Sequence, residues 1–237
     1  MGTDKPEGLT LVVPAHNEAP QITQAVQRMH AALQSLDVPW ELCVVDDGSQ
    51  DATGSLLDAL ATQLAHCRVV HHPQCRGAGQ ALLTGARHAT QPWLMCCPVD
   101  SPCDAVVLRQ FLVARQGVDI VVGYRNRRVG YAWWMRWGSA AYRRCLNWAF
   151  RQRLRDWTWM CCYRTQLMCA LPLRSTGMAF FPEVLVRALS QGARIAEIPC
   201  EMQPRRSGRA TASRPRAIAL AALETLQVWK EMRRHHA

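Results

Sequence analysis

Glu41-Leu42-Cys43-Val44-Val45-Asp46-Asp47-Gly48-Ser49-Gln50-Asp51-Ala52-Thr53 is the stretch that decides the fold. Its first five residues form an apolar run of strand length, which ends in two consecutive acids and a glycine. Helical spacing follows from about Asp51 to Leu64. Upstream the same pattern opens the chain: Leu9 to Val13 is a short apolar run ended by Pro14, and between Glu18 and Leu36 the residues Ile22, Val26, Met29 and Leu33 recur at intervals of three and four. Downstream it continues, with a strand at Arg68–His71, a helix from Gly77 to Thr90, an apolar run at Trp93–Cys97, a helix near Asp104–Gln116 and a strand at Val118–Gly123. Strands alternating with helices predict an α/β fold, a mainly parallel sheet flanked by helices on both faces. Ligands of such sheets bind beyond the carboxyl ends of the strands. The polar clusters fall there: Pro14-Ala15-His16-Asn17-Glu18, Asp46-Asp47-Gly48-Ser49, Arg76-Gly77-Ala78-Gly79 and Pro98-Val99-Asp100.

Beyond Arg125 the alternation breaks into a Trp/Arg-rich segment, Tyr131 to Arg155, and an irregular Cys/Trp stretch to about Thr176. Order returns with a helix at Glu183–Ser190, a strand at Arg194–Cys200, a basic loop Arg205-Arg206-Ser207-Gly208-Arg209 and a final helix from about Pro215 to Arg234. No internal repeat or low-complexity linker divides the chain, so 1–237 reads as a single domain with parts 1–125, 126–214 and 215–237. Its 237 residues are 49% apolar and 19% charged, enough for one sizeable core and incompatible with a disordered chain or a small stapled scaffold.

The formal charge is +10, and only Lys5 and Lys230 of the 28 basic residues are lysines. Guanidinium forks match phosphate and carboxylate oxygens, so the excess favours anionic partners; a solvated arginine surface explains it equally well. Eleven cysteines include no Cys-x-x-Cys pair, and Cys96–Cys97 and Cys161–Cys162 sit in apolar stretches, which points to buried reduced thiols and a reducing cytoplasm. Met1 to Gly8 has no apolar core of the secretory kind, and no run of about 18 uncharged apolar residues predicts a membrane span.

Two carboxylates on a strand-to-helix turn, Asp46 and Asp47, suit acceptors for the N–H and hydroxyl groups of a nucleotide base and ribose. Locally, Ser49 or Asp51 as a helix cap and Gly48 as a turn residue serve too. The segment Tyr131 to Trp137, continuing to Tyr142, Arg143, Arg144 and Trp148, has the composition of an interfacial helix, with buried aromatic packing as the competing account. The tail helix offers a similar interfacial face, with Ile218, Ala222, Leu226 and Trp229 at helical spacing and Leu223 beside them, docking on the core being its expected job. His71–His72 and His235–His236 have no third ligand nearby and read as surface residues.

PAHNE (14–18), VVDDGSQDAT (44–53), the RGAGQA turn (76–81) and the lone acid Asp100 together resemble family 2 glycosyltransferases. The downstream strings VVGYR (121–125), RDWT (155–158), Gly177 to Phe181 followed by Glu183, GARIAEIPCE (192–201) and RRSG (205–208) are most similar to polyprenyl-phosphate, dolichol-phosphate mannose synthase-like members. The resemblance implies a Rossmann-like GT-A fold, a nucleotide-sugar binding half at 1–125, a less regular C-terminal acceptor half, and inverting transfer from a nucleotide-diphosphate sugar to a lipid-linked or apolar acceptor. It places Pro14, Ala15, Asn17, Glu18, Asp46 and Asp47 in the nucleoside pocket and the Gly77–Gly79 turn close to the same crevice; a helix start needing small residues is the other account of those glycines. Where the family carries Asp-x-Asp for a divalent cation, Mg2+ or Mn2+, this chain has Pro98-Val99-Asp100, leaving Asp100 as the metal ligand, with Asp104 read as a helix cap. Arg125, matching the family's Gly-Ser-Arg position, and Arg205, matching its Arg-x-x-Gly loop, are the candidate phosphate contacts. Ala210-Thr211 replace its Ser-Lys, with Arg206 and Arg209 as candidate substitutes.

An anionic lipid phosphate needs no base, whereas a hydroxyl acceptor does. Asp156 is the candidate for it, with pairing to Arg153 or Arg155, or the capping of a turn, as the alternative. The expected enzyme is a cytoplasmic glycosyltransferase, peripheral on the inner membrane. Its rivals are a hydroxyl-directed transferase and a noncatalytic nucleotide-sugar-binding descendant. No nucleic-acid partner is expected, because the arginines do not gather on one reading helix.

Overall fold

The computed structural model describes residues 7–126, 133–177, 179–200 and 215–234. Seven strands form one sheet in the order β3-β2-β1-β4-β6-β5-β7. They are β1 (Leu9–Ala15), β2 (Trp40–Asp46), β3 (Cys67–His71), β4 (Trp93–Cys96), β5 (Ile120–Arg125), β6 (Cys161–Arg164) and β7 (Ile195–Cys200). The helices are α1 (Ile22–Gln34), α2 (Thr53–Gln63), α3 (Ala78–His88), α4 (Ala105–Ala114), α5 (Trp133–Ala149), α6 (Thr165–Ala170), α7 (Phe180–Ser190) and α8 (Pro215–Arg234).

Side-chain alternation explains why the sheet is covered twice. Leu9, Leu11, Val13 and Ala15 of β1 pack with Ile22, Val26, Met29 and Leu33 of α1 and with Leu57, Leu108 and Phe111, whereas Val12 faces Leu82 of α3 and Phe180 and Leu185 of α7. Each such aliphatic side chain contributes about 2 kcal/mol on leaving water, and a one-residue slip would turn the whole set to the wrong face.

Three details depart from the sequence reading. Pro14 does not end the first strand, because β1 runs on to Ala15, with Pro14 beside Val45 of β2. The β1–β4 ladder stops at Val12↔Cys96, and the Cys97 N–H donates to the Val12 carbonyl, so the donor that proline lacks faces a side where no ladder remains. The irregular Cys/Trp stretch contains β6, antiparallel to both β4 and β5, and α6 after it. Four residues are too short for period-two alternation to show. On α8, Ala221 and Val228 are buried, while Leu223 and Leu226, expected to dock, are exposed with Leu220.

Strands β2, β4, β5 and β7 all run the same way as β1: β2 and β4 pair with it in parallel, β5 is reached through antiparallel β6, and β7 pairs in parallel with β5. The carboxyl ends of β1 to β5 therefore emerge at a single edge. Among the described residues no helix is long and apolar enough to cross a membrane.

Candidate active site

The loops after β1 and β2 are laced together at that edge. Asn17, in the left-handed region at φ 55°, donates its backbone N–H to Ser49 Oγ at 3.0 Å and accepts the Gln50 N–H at 2.8 Å. The Glu18 N–H donates to Thr53 Oγ1 at 2.8 Å, the Ala19 N–H donates to Asp51 Oδ2 at 3.2 Å, and His16 Nδ1 lies 2.8 Å from the Asp47 carbonyl. Ser49 therefore bridges loops and does not cap α2, whose N-cap position is Ala52 with no side-chain cap. Gly48 is at φ 68°, and a Cβ there would meet the Gln74 backbone at 2.4 Å, so glycine lets the loop after β2 lie against the loop between β3 and α3.

Asp46, the last residue of β2, and Asp47, just beyond it, each meet a histidine at the carboxyl end of β3, His71 and His72 in turn. The β2–β3 register sets Asp46 beside His71. Asp46 Oδ2 lies 2.9 Å from His71 Nδ1, and Asp46 Oδ1 accepts the Ser49 N–H at 3.1 Å. Burial works to raise the Asp46 carboxyl, but the hydrogen bonds from Ser49 and His71 hold it below the usual carboxylate range. It is an ionised acceptor that takes the Ser49 N–H, the Ser49 hydroxyl and the His71 ring, one contact fewer than the four acceptor sites of a carboxylate.

Asp47 has less to offer. Its Oδ1 accepts from His72 Nδ1 at 2.7 Å and the Arg76 N–H at 2.8 Å, and its Oδ2 accepts from the Gly77 N–H at 2.8 Å and Cys75 Sγ at 3.3 Å. Burial again pushes it up, and these bonds, His72 first, bring it below the usual range. It ties the β3–α3 loop to β2. His71 and His72 are thus not idle surface residues. His72 is buried and His71 half-exposed, and they are the site residues that sequence reading missed. The available signal was two histidines ending one strand beside two aspartates ending the next.

Gly77, at φ 92°, would place a Cβ 2.6 Å from the Thr176 carbonyl, and a Cβ on Gly79 would meet the Phe180 ring at 2.5 Å. Glu224 of α8 holds that covering segment by accepting the Thr176 N–H at 2.9 Å, so the C-terminal part of the chain closes over the start of α3. Pro14 and Ala15 end β1 beside Val45 and Asp46.

Asp100 lies half-buried in the turn after β4, and Asp104 caps α4 by accepting the Val107 N–H at 2.9 Å. Among the described residues no group of three or more His, Cys, Asp or Glu is placed to hold a metal ion. One hard carboxylate fits a divalent cation whose other oxygens come from phosphates and water. Arg125, at the end of β5, makes a two-pronged pair with Asp156, Nε to Oδ2 at 2.8 Å and an η nitrogen to Oδ1 at 2.9 Å. Its guanidinium also reaches Thr158 Oγ1 at 3.1 Å and stacks 5.0 Å from the Trp159 ring. The partner of Asp156 is thus Arg125, where Arg153 and Arg155 were the alternatives read from sequence; Arg155 stacks on Tyr124. Arg205, Arg206, Arg209, Ala210 and Thr211 lie outside the described residues, as do His235 and His236 and the side chains of Trp133, Trp134, Arg136 and Ile218.

Residues 10–170 match the family model described as Glycosyl transferase family 2. An undecaprenyl-phosphate 4-deoxy-4-formamido-L-arabinose transferase of Pseudomonas paraeruginosa is 33% identical over 135 residues, 55% of this chain and 39% of that protein. The chain thus spans about two fifths of the length of that relative. An uncharacterized glycosyltransferase of Mycobacterium bovis is 27% identical over 230 residues, 94% of this chain and 97% of its own. Among solved structures, glucosyl-3-phosphoglycerate synthase from Mycobacterium tuberculosis, crystallised with Mn2+, UDP-glucose and phosphoglyceric acid, superposes with a TM-score of 0.73 at 19% identity, covering 94% of this chain and 80% of that one. The same enzyme with Mg2+ and UDP gives a TM-score of 0.68 at 17% identity, covering 94% and 78%. The α/β architecture is the GT-A-like one of these glycosyltransferases.

Proposed function

The chain belongs to glycosyl transferase family 2, and on that premise we propose that it transfers a sugar, with inversion, from a nucleotide-diphosphate donor to a lipid-linked acceptor of the polyprenyl-phosphate kind at the cytoplasmic face of a membrane. The observation that carries the reading is the carboxyl edge of the sheet, where Asp46 stands as an ionised acceptor, less fully bonded by the chain than Asp47, beside the loop of Asn17 and Glu18. Asp46 takes the base or ribose donors, and Asp47, saturated by the chain, shapes the pocket wall behind it. The glycines at 77 and 79 let the α3 start approach closely. Asp100 would hold a Mg2+ or Mn2+ ion, which supplies positive charge to the departing diphosphate. The nucleotide and metal partners of the crystallised neighbour support this assignment.

The acceptor half supports the lipid reading in two ways. Asp156 is committed to Arg125, so the acid available for deprotonating a hydroxyl is already an ion-pair partner; an acceptor that arrives as a phosphate anion needs no such base. The outer face of α5 carries Trp137 at 69% exposure and Trp148 at 77%, three helical turns apart with exposed Arg144 between them, and α8 adds exposed Leu220, Leu223 and Leu226. Indoles, leucines and arginines in that arrangement suit the headgroup layer of an anionic bilayer. Arg125 and Arg205 are the assigned phosphate contacts. The undecaprenyl-phosphate relative named above supports the acceptor class.

The test is a thermal-shift panel of UDP-, GDP- and dTDP-sugars with and without Mn2+, followed by transfer of the labelled sugar of the binding donor to undecaprenyl phosphate in anionic liposomes. One donor should raise the melting temperature with Mn2+, and Asp46→Asn should abolish the shift. Label moving only to soluble alcohols, and lost in Asp156→Asn with donor binding intact, would replace the lipid acceptor by a hydroxyl. Donor binding without transfer or hydrolysis would leave a binding protein.

A further inference from the structure

His71 sits between two carboxylates. Its Nδ1 is 2.9 Å from Asp46 Oδ2 and its Nε2 is 3.0 Å from Asp58 Oδ1. A neutral imidazole has one N–H, so one ring nitrogen would turn a lone pair toward a carboxylate oxygen; only the imidazolium satisfies both contacts. The adjacent histidine differs. His72 Nδ1 faces Asp47 at 2.7 Å, but its Nε2 faces the Thr84 hydroxyl at 2.9 Å, which can donate or accept, so the neutral ring is fully bonded there.

We propose that His71 is a positioning residue whose charged ring orients Asp46 toward the donor nucleotide, so that nucleotide affinity falls as pH rises through the His71 titration. This rests on the donor reading of the carboxyl edge given above. The charged groups that face the ring are Asp46 of β2 and Asp58 of α2. Glu41, at the far end of β2, is bonded to Thr10 and the Thr90 N–H, and Asp51, before α2, is bonded to Thr53. The hydrogen bond to Asp46, then the one to Asp58, raises His71 above the ordinary imidazole value against the opposing effect of burial, while Asp46 is lowered. The sign follows. Between the two titrations both groups are charged and Asp46 is held; above the His71 midpoint the ring keeps one N–H for two carboxylates, so the hold on Asp46 loses the ring's charge and is shared with Asp58.

The experiment measures the Kd of UDP, with GDP and dTDP as alternates, from pH 5 to 9 for the wild type, His71→Gln and Asp58→Asn. In parallel, NMR of the ligand-free proteins follows the His71 ring nitrogens. Asp58 is two-thirds exposed on α2, so its variant keeps the fold and the Asp46 contact and removes one of the two charges facing the ring. Wild-type affinity should weaken about tenfold above the midpoint, H71Q should be about tenfold weaker at low pH with a flat profile, and D58N should keep low-pH affinity with its midpoint moved to lower pH. The probe's own phosphate titration is common to all three profiles. Superimposable profiles for wild type and D58N, or a pH dependence retained in H71Q, would overturn the proposal. Failure of all three nucleotides to bind at any pH overturns the donor reading and this use of it, and the ring-nitrogen shifts then show separately whether His71 is charged.

Discussion

Asp46 and Asp156 are nearly equally buried, at 5% and 3% exposure, and both stand at the same edge of the sheet, yet their surroundings fit them for different work. Asp46 meets the Ser49 N–H and hydroxyl and one histidine, contacts that keep it ionised and fill fewer than the four acceptor sites of a carboxylate. Asp156 receives both prongs of Arg125 and the Thr158 N–H, so its charge is matched by a rigid planar cation. A buried carboxylate with spare lone pairs is a reader of donors, and one filled by a guanidinium is a brace for that guanidinium.

The comparison is broken most forcefully by removing one member of the braced pair. Arg125→Met leaves Asp156 buried without its cation and should cost about 3–5 kcal/mol in urea unfolding, whereas adding Asp156→Asn should recover part of that loss. If the single variant is as stable as the wild type, the pair is not a brace. Asp47→Asn should come next, at about 2–3 kcal/mol, because an amide cannot accept the Arg76 and Gly77 N–H groups and the Cys75 thiol together with His72. Asp46→Asn should be milder in stability yet lose donor binding, so the ordering of the two neighbours in unfolding and in binding should be opposite.

Acid sharpens the contrast further. Asp46 and Asp47 are both held below the usual carboxylate range, so the stability they contribute is fully present above that range and is lost as pH falls through their depressed values. Amide exchange at Ser49, Arg76 and Gly77 should accelerate in that acid range, and exchange that is no faster there than in the centre of β4 would contradict it. The smallest stability effect belongs to the exposed indoles. Trp137→Ser and Trp148→Ser should change unfolding by no more than about 0.5 kcal/mol while reducing sedimentation with anionic vesicles; a large destabilisation would mean that these rings are packed, not presented.

The first half of the chain was open to sequence reading because a parallel strand buried on both faces must be a continuous apolar run, and a surface helix must repeat every three to four residues. Ile22, Val26, Met29 and Leu33 obey that rule and all four are fully buried. The second half resisted because β6 is four residues long and holds its place by antiparallel pairing with β4 and β5, partners at least 35 residues away in the chain. Pro14 misled for a related reason: whether a proline ends a strand depends on which neighbour its missing N–H would face.

Periodicity and the order of polar clusters by themselves determined the α/β class and gathered the acids Asp46 and Asp47 at the carboxyl edge of the sheet, and the family resemblance added Asp100. The partners of those acids were decided only in three dimensions. Which histidine meets which aspartate follows from the β2–β3 register, and which arginine meets Asp156 follows from β5 lying beside β6. Hydrogen bonds and ion pairs act over about 3 Å of space and are indifferent to separation along the chain, so spacing in sequence cannot encode them until the sheet has brought distant strands side by side.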